Sequence, residues 1–249
     1  MTDATARGSG PGGELDPELT RSVERVRTSI TALRRHPSNR TGWPRTAAAA
    51  SVRAARASAA LDGAPLALDL QAEAVADPVL AGALRVAAGI GSLTTVWARA
   101  PLQALAKLHT LAAADLVPAA DLGRPLSVEP GVGPRLAGLA ELATTDRWPA
   151  PVQVALVHGE LLAIRPFGVA DGVVARAAAR LAMISSGLDP AGLGVPEVAH
   201  LRSGASYVEL AAGYRSGRPD AVAAWIEEVC RCLVVGAREG ISIADSAVA

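Results

Sequence analysis

The chain has 249 residues, half of them apolar, and its 24 basic side chains are balanced by 24 acidic ones. This length suits one compact domain with a tail, and zero net charge argues against a nucleic-acid binder or a protein drawn to anionic membranes. No run of about 18 apolar residues is free of charge and the first twenty residues are polar and rich in Gly and Pro, so a soluble, cytoplasmic protein is expected.

Met1 to about Asp16 holds too little apolar area to bury and is expected to be disordered, giving an N-terminal tail over residues 1–17. From Pro17, Leu19, Val23, Val26, Ile30 and Leu33 recur at spacings of three and four among arginines, which predicts an amphipathic helix stopped by His36-Pro37-Ser38-Asn39. Thr46–Leu61 reads as an Ala-rich helix ended by Asp62-Gly63, with Gly63 supplying a left-handed cap. Two helices follow, over Val79–Val96 and Pro101–Ala114. Between Asp115 and Gly133, closely spaced Pro and Gly with no helical period predict a loop or a short hairpin, the one place for β structure.

Helical spacing resumes at Pro134–Thr145 and again at Pro151–Ile164, where PVQVALVHGELLAI is apolar nearly all round, as in a helix at the middle of a bundle. A helix over Val173–Ser186 ends at Gly187-Leu188-Asp189-Pro190, and helices at Ser206–Gly213 and Asp220–Ala237 complete the domain. The fold class is therefore all-α, a helical bundle over residues 18–240 with helices at 18–63 as its N-terminal part and a C-terminal tail at 241–249. No 20–50-residue period repeats, which argues against a solenoid. Gly89-Ile90-Gly91 and Gly131-Val132-Gly133 do not complete a dinucleotide fingerprint. Cys230 and Cys232 sit two apart on a helix, face different ways, and are expected to be buried thiols. Trp43, Trp97, Trp148 and Trp225 are expected to pack in the core. The single lysine, Lys107, against 23 arginines points to a GC-rich, bacterial genome.

The stretch that bears on function joins two helices: Ile164-Arg165-Pro166-Phe167-Gly168-Val169-Ala170-Asp171-Gly172, followed at once by Val173-Val174-Ala175-Arg176. Helix, tight glycine loop, helix is a geometry that binds anions, because the first-turn N–H groups of the second helix are unpaired and its dipole favours negative charge. The same spacing also serves as a plain interhelical turn. Arg165 and Arg176 are the cations nearest this loop, either to pair within the fold or to hold phosphate.

The loop resembles the signature of the Fic (Fido) family, His-Pro-Phe-x-Asp/Glu-Gly-Asn-Gly-Arg-x-x-Arg. Pro166, Phe167, Gly172 and Arg176 match it, and Asp171 stands where Asn is expected. Val157-His158 through Ala163-Ile164 fits the family's buried helix, and Tyr207 to Gly240 resembles its C-terminal helices. Leu108-His109 to Leu126 is similar to the segment ending in the family's β-hairpin flap, here including Gly123, Arg124 and Pro125. Ser58-Ala59-Ala60-Leu61-Asp62-Gly63 is similar to the inhibitory helix motif Ser/Thr-x-x-x-Glu-Gly, which implies a pair between Asp62 and Arg176.

The resemblance also shows what is missing. Arg165 holds the place of the family's base His and cannot be deprotonated near neutral pH. Val169 replaces the acidic metal ligand and offers no side-chain oxygen to Mg²⁺. Val173 replaces the first phosphate-holding Arg, and Asp171, as the expected N-cap of the following helix, would itself occupy the N–H groups a phosphate needs. His158 lies two helical turns before Arg165, about 10 Å along the axis, too far to act as its substitute. Glu160 faces another side, and His109 and His200 have no partner pattern.

These residues imply a degenerate Fic-fold protein with no catalytic residue, metal or cofactor. It would act as a binding or regulatory module for a protein partner or an anionic ligand, with Arg165, Gly168, Asp171, Gly172 and Arg176 as anion-binding candidates. A homodimer is compatible with this reading. The alternative is a divergent nucleotidyl- or phosphoryl-transferase that uses ATP with Mg²⁺ to modify protein hydroxyls.

Overall fold

A computed structural model describes residues 16–66, 76–126 and 131–246, so the tail expected over Met1 to Asp16 falls almost wholly outside the described residues. Helix α1 (Pro17–Arg35) starts where the Asp16 carboxylate accepts the Glu18 N–H and ends at His36, ahead of Pro37. Helix α2 (Pro37–Leu61) begins nine residues earlier than the Ala-rich stretch suggested and runs through Pro44. The missing bond at Pro44 is tolerated because Thr46, Ala50, Ala54 and Ser58 repeat every fourth residue and form a buried stripe.

Helices α3 (Pro78–Arg99) and α4 (Pro101–Ala112) pack against each other, and Gly82 permits the close approach. A Cβ there would sit 2.0 Å from the Ala112 carbonyl oxygen. Helix α3 is long and apolar enough to cross a membrane by length and composition, yet its Leu80, Val86, Ile90, Leu93 and Trp97 are buried in the bundle. Helix α5 (Val132–Thr144) leads to α6 (Ala150–Ile164), which has buried side chains on every face and packs on α5, α7 (Asp171–Ser185), α9 (Ala205–Arg215) and α10 (Pro219–Ser246).

Several expectations change. The short helix α8 (Pro196–Ser203) was not legible, since eight residues carry too little periodicity. Helix α10 continues to Ser246, so residues 241–246 are helix and not tail, with Ile243 and Ala244 buried. The extension is held by Gly236 and Gly240, whose bare faces admit the backbone of Leu193 to Pro196; Val195 donates its N–H to the Gly236 carbonyl at 3.0 Å. No strand forms among the described residues. Where the flap hairpin was expected, Ala119–Asp121 makes one turn of 3-10 helix and Leu126 donates its N–H to the Pro166 carbonyl at 2.8 Å, while residues 127–130 lie outside the described set. Trp97 and Trp225 are fully buried, but Trp43 near the start of α2 and Trp148, two residues ahead of α6, are exposed. Cys230 and Cys232 are free and buried, and burial pushes both thiols up to about 12.

Candidate functional site

The site is built where α6 stops and α7 starts. Arg165 caps α6 in the left-handed region at φ 48, Gly168 turns at φ 74, and Ala170 enters α7 at φ 56. Two non-glycine residues in that region across six positions mark a loop fixed by its surroundings. Phe167 anchors it: its ring is buried and stacks on His109 of α4, with centroids 4.2 Å apart and planes 3° from parallel. His109 Nδ1 in turn accepts the Gly123 N–H at 2.9 Å, tying the 119–126 segment to the loop. Arg124 and Pro125 are exposed there, and Leu126 lies against Gly168.

The N-terminus of α7 is occupied by Asp62, which ends α2. Its Oδ2 accepts the Val173 N–H at 3.0 Å, and its Oδ1 accepts from Arg176 Nη2 at 2.5 Å. The Asp62–Arg176 pair implied by the resemblance is thus present. Gly172 makes room for it, since a Cβ there would stand 2.2 Å from Asp62 Oδ1. Arg176 is 3% exposed and donates further to Ser58 Oγ at 2.7 Å, the Ser58 carbonyl at 2.9 Å and Tyr207 Oη at 3.4 Å. Burial works against its charge, but Tyr207 and Asp62 outweigh burial and its pKa is raised. Gly63 takes the left-handed turn expected of it, at φ 94.

Asp171 does not cap α7, contrary to expectation. It is the first residue of the helix, and its carboxylate turns back into the loop, where Oδ1 accepts the Phe167 N–H at 3.0 Å. The amide that a cap would hold is already taken by Asp62. Asp171 is 5% exposed, and its Oδ2 has no hydrogen-bond partner. Burial pushes this carboxyl up to about 6, against the pull of the Phe167 amide, of Arg165, whose Nε lies 3.9 Å from Oδ2, and of the Gly168 amide. The Arg165 side chain is otherwise exposed.

The loop face opens on a cleft of about 590 Å³, lined by Asp62, Arg165, Asp171, Gly172, Arg176 and by α9. Tyr207 and Arg215 of α9 were not singled out in the sequence as site residues, although Tyr207, Ala211 and Arg215 recur at spacings of four and all line this cleft. Arg215 is fixed by donating Nε to the Ala163 carbonyl at 3.1 Å. Tyr207 Oη also lies 2.9 Å from His158 Nε2. His158 is fully buried and bonded to this hydroxyl, and burial followed by His200 and Arg176 holds it well below the usual histidine range. His200 is likewise buried, held down to about 3 by burial and then by Arg176. Glu160 pairs with Arg135 at 2.7 Å. Val169 is exposed in the loop and brings no oxygen from its side chain. Among the described residues no cluster of His, Cys, Asp and Glu has the arrangement of a metal site.

The overall shape matches solved structures. A Fic family protein from Desulfovibrio desulfuricans G20 superposes with a TM-score of 0.73 at 20% identity, covering 92% of this chain and 76% of that one. A fragment of Fic-1 from C. elegans gives 0.69 at 16% identity, covering 91% and 71%. No protein-family model and no curated protein sequence matches the chain. The chain has the Fic fold.

Proposed function

We propose that this Fic-fold chain is a binding or regulatory module that recognises an anionic ligand at the α6–α7 loop and does not transfer a nucleotide. One observation carries the reading: a carboxylate of the chain itself, Asp62, sits on the Val173 N–H and on Arg176. An unpaired helix-start amide beside a buried guanidinium suits an anion, and Asp62 is the intramolecular anion that fills it. The residues that nucleotide transfer by the family's route would need do not fit that task. Arg165 in place of the base has a guanidinium group, which donates hydrogen bonds and accepts none, and Val169 cannot ligate Mg²⁺ through its side chain. ATP with Mg²⁺ would have to displace Asp62 to reach the Val173 N–H and Arg176, and would meet neither the first phosphate arginine, nor the base, nor the side-chain metal ligand.

Exposed Val208 on the cleft, together with exposed Val169 in the loop and Leu126 against Gly168, supports a protein partner near this face. Calorimetric titration with pyrophosphate tests the anion half of the reading. Asp62→Ala should bind at least tenfold more tightly than the unmodified chain, and Asp62→Ala/Arg176→Met should not bind. Equal affinity in all three would contradict it.

A further inference from the structure

We propose that Asp171 works in its protonated form, as a hydrogen-bond donor to an anion bound in the α6–α7 cleft, so that anion binding is coupled to proton uptake at this residue. This rests on the anion-site reading given above and assigns the residue that sets its pH dependence.

The two oxygens of the Asp171 carboxyl differ in their surroundings. The Oδ1 atom is committed as an acceptor to the Phe167 N–H at 3.0 Å, while Oδ2 is buried without a hydrogen-bond partner, in a residue that borders the cleft. A carboxylate in that position presents a negative charge to any anion entering beside Arg165 and Arg176. A carboxylic acid keeps the Oδ1 acceptor and turns Oδ2 into an O–H donor available to an anion at the cleft edge. The protonated side chain then has the donor and acceptor pattern of asparagine, the residue that the signature places here. Leaving a buried oxygen without a partner is unfavourable, and a bound anion accepting from Oδ2–H would relieve it.

The surrounding charges fit a proton held near neutral pH. Arg165 at the end of α6 approaches Oδ2 only to 3.9 Å and is mostly exposed, so its pull is weak. Asp62 from α2 stands on the other side of Gly172 and opposes ionisation. Arg176 of α7 is engaged by Asp62, Ser58 and Tyr207. His109 of α4, stacked on Phe167, is held below the usual histidine range by burial and brings no charge at neutral pH. Tyr207 and Arg215 of α9 line the far wall; burial raises Tyr207, which stays neutral. Burial is the dominant influence on Asp171 and pushes its carboxyl up to about 6.

Sulfate is the probe, because its charge does not change over about pH 5 to 8 and any pH dependence must come from the protein. Titrations are run on Asp62→Ala, in which no internal carboxylate competes for the cradle, and on Asp62→Ala/Asp171→Asn. The Asp62→Ala protein should lose affinity above pH 6, approaching tenfold per pH unit, while the double variant should bind with little change across the range. Binding that is equally flat in both proteins would overturn the role of Asp171 and leave the anion site standing. No sulfate binding by either protein at any pH would overturn the anion site itself. A carbon-detected NMR titration of the unmodified chain gives a check that needs no variant: the Asp171 carboxyl should titrate close to 6, and a midpoint below 4.5 would refute the proposal.

Discussion

Replacing Asp62 by alanine should destabilise the fold and at the same time open the site, which separates a cradle filled by an internal anion from an ordinary surface ion pair. Two interactions are lost. The bond from Val173 N–H at 3.0 Å is a capping contact, worth about 1 kcal/mol. The bond from Arg176 at 2.5 Å is charge-assisted and worth about 1.5–3 kcal/mol. The total should stay below the roughly 3–5 kcal/mol of a fully buried pair broken on one side. Arg176 keeps both bonds to Ser58, and the Asp62 side chain is 22% exposed, so water reaches the vacated space.

About 2–3 kcal/mol is therefore expected, a shift of roughly 1 M in the urea midpoint for a chain of this size. Sulfate should then recover part of the loss, by about 1.4 kcal/mol at ten times its dissociation constant. Because sulfate also stabilises proteins generally by exclusion from their surfaces, the unmodified chain at the same concentration is the reference. A loss under 0.5 kcal/mol, or equal stabilisation of both proteins by sulfate, would refute the reasoning.

Gly172→Ala places a Cβ 2.2 Å from Asp62 Oδ1 and should expel the Asp62 side chain. Its cost of about 1–3 kcal/mol should shrink when Asp62→Ala is also present, measured as a double-mutant cycle in urea. Asp171 has a folded pKa of about 6 against 3.8 unfolded, so the stabilisation it gives is complete below pH 3.8 and is lost as pH rises through 6. Asp171→Asn should thus gain stability relative to the unmodified chain across that window, by up to about 3 kcal/mol, and a difference independent of pH would contradict it. His200 behaves oppositely: its folded value of about 3 lies below the unfolded 6.5, so its stabilisation is complete above pH 6.5 and is lost as pH falls toward 3. Melting temperatures recorded from pH 7 to 4 should fall less steeply for His200→Gln than for the unmodified chain.

The helices were legible where apolar residues keep a strong period. The Leu19 to Leu33 series and the wholly apolar 151–164 stretch both lie in helices of the kind their spacing implies. What escaped depended on contacts distant in sequence. Helix α10 reaches Ser246 because Gly236 and Gly240 meet the 193–196 backbone, and the start of α2 depends on a buried stripe of small residues that hydropathy undervalues. At the site, Asp62 and Arg176 could be paired from the motif that carries them. Asp171 could not be placed, because its orientation depends on Asp62 having already taken the Val173 amide. Tyr207 belongs to the same class: its partners Arg176 and His158 lie 31 and 49 residues away, and nothing adjacent in sequence marks it.

The fold and the chemistry separate at this loop. In the proposed reading the helix start, Gly172 and Arg176 keep a place for an anion, while Arg165 and Val169 provide neither a base nor a metal ligand. The most direct test is incubation of the unmodified chain and of Asp62→Ala with labelled ATP and the other nucleoside triphosphates, with Mg²⁺ or Mn²⁺, in the presence of lysate proteins. The expected result is no covalent label on the chain or on any other protein, even with the cradle opened by Asp62→Ala. Label transferred by either protein and abolished by Arg176→Ala would contradict the account.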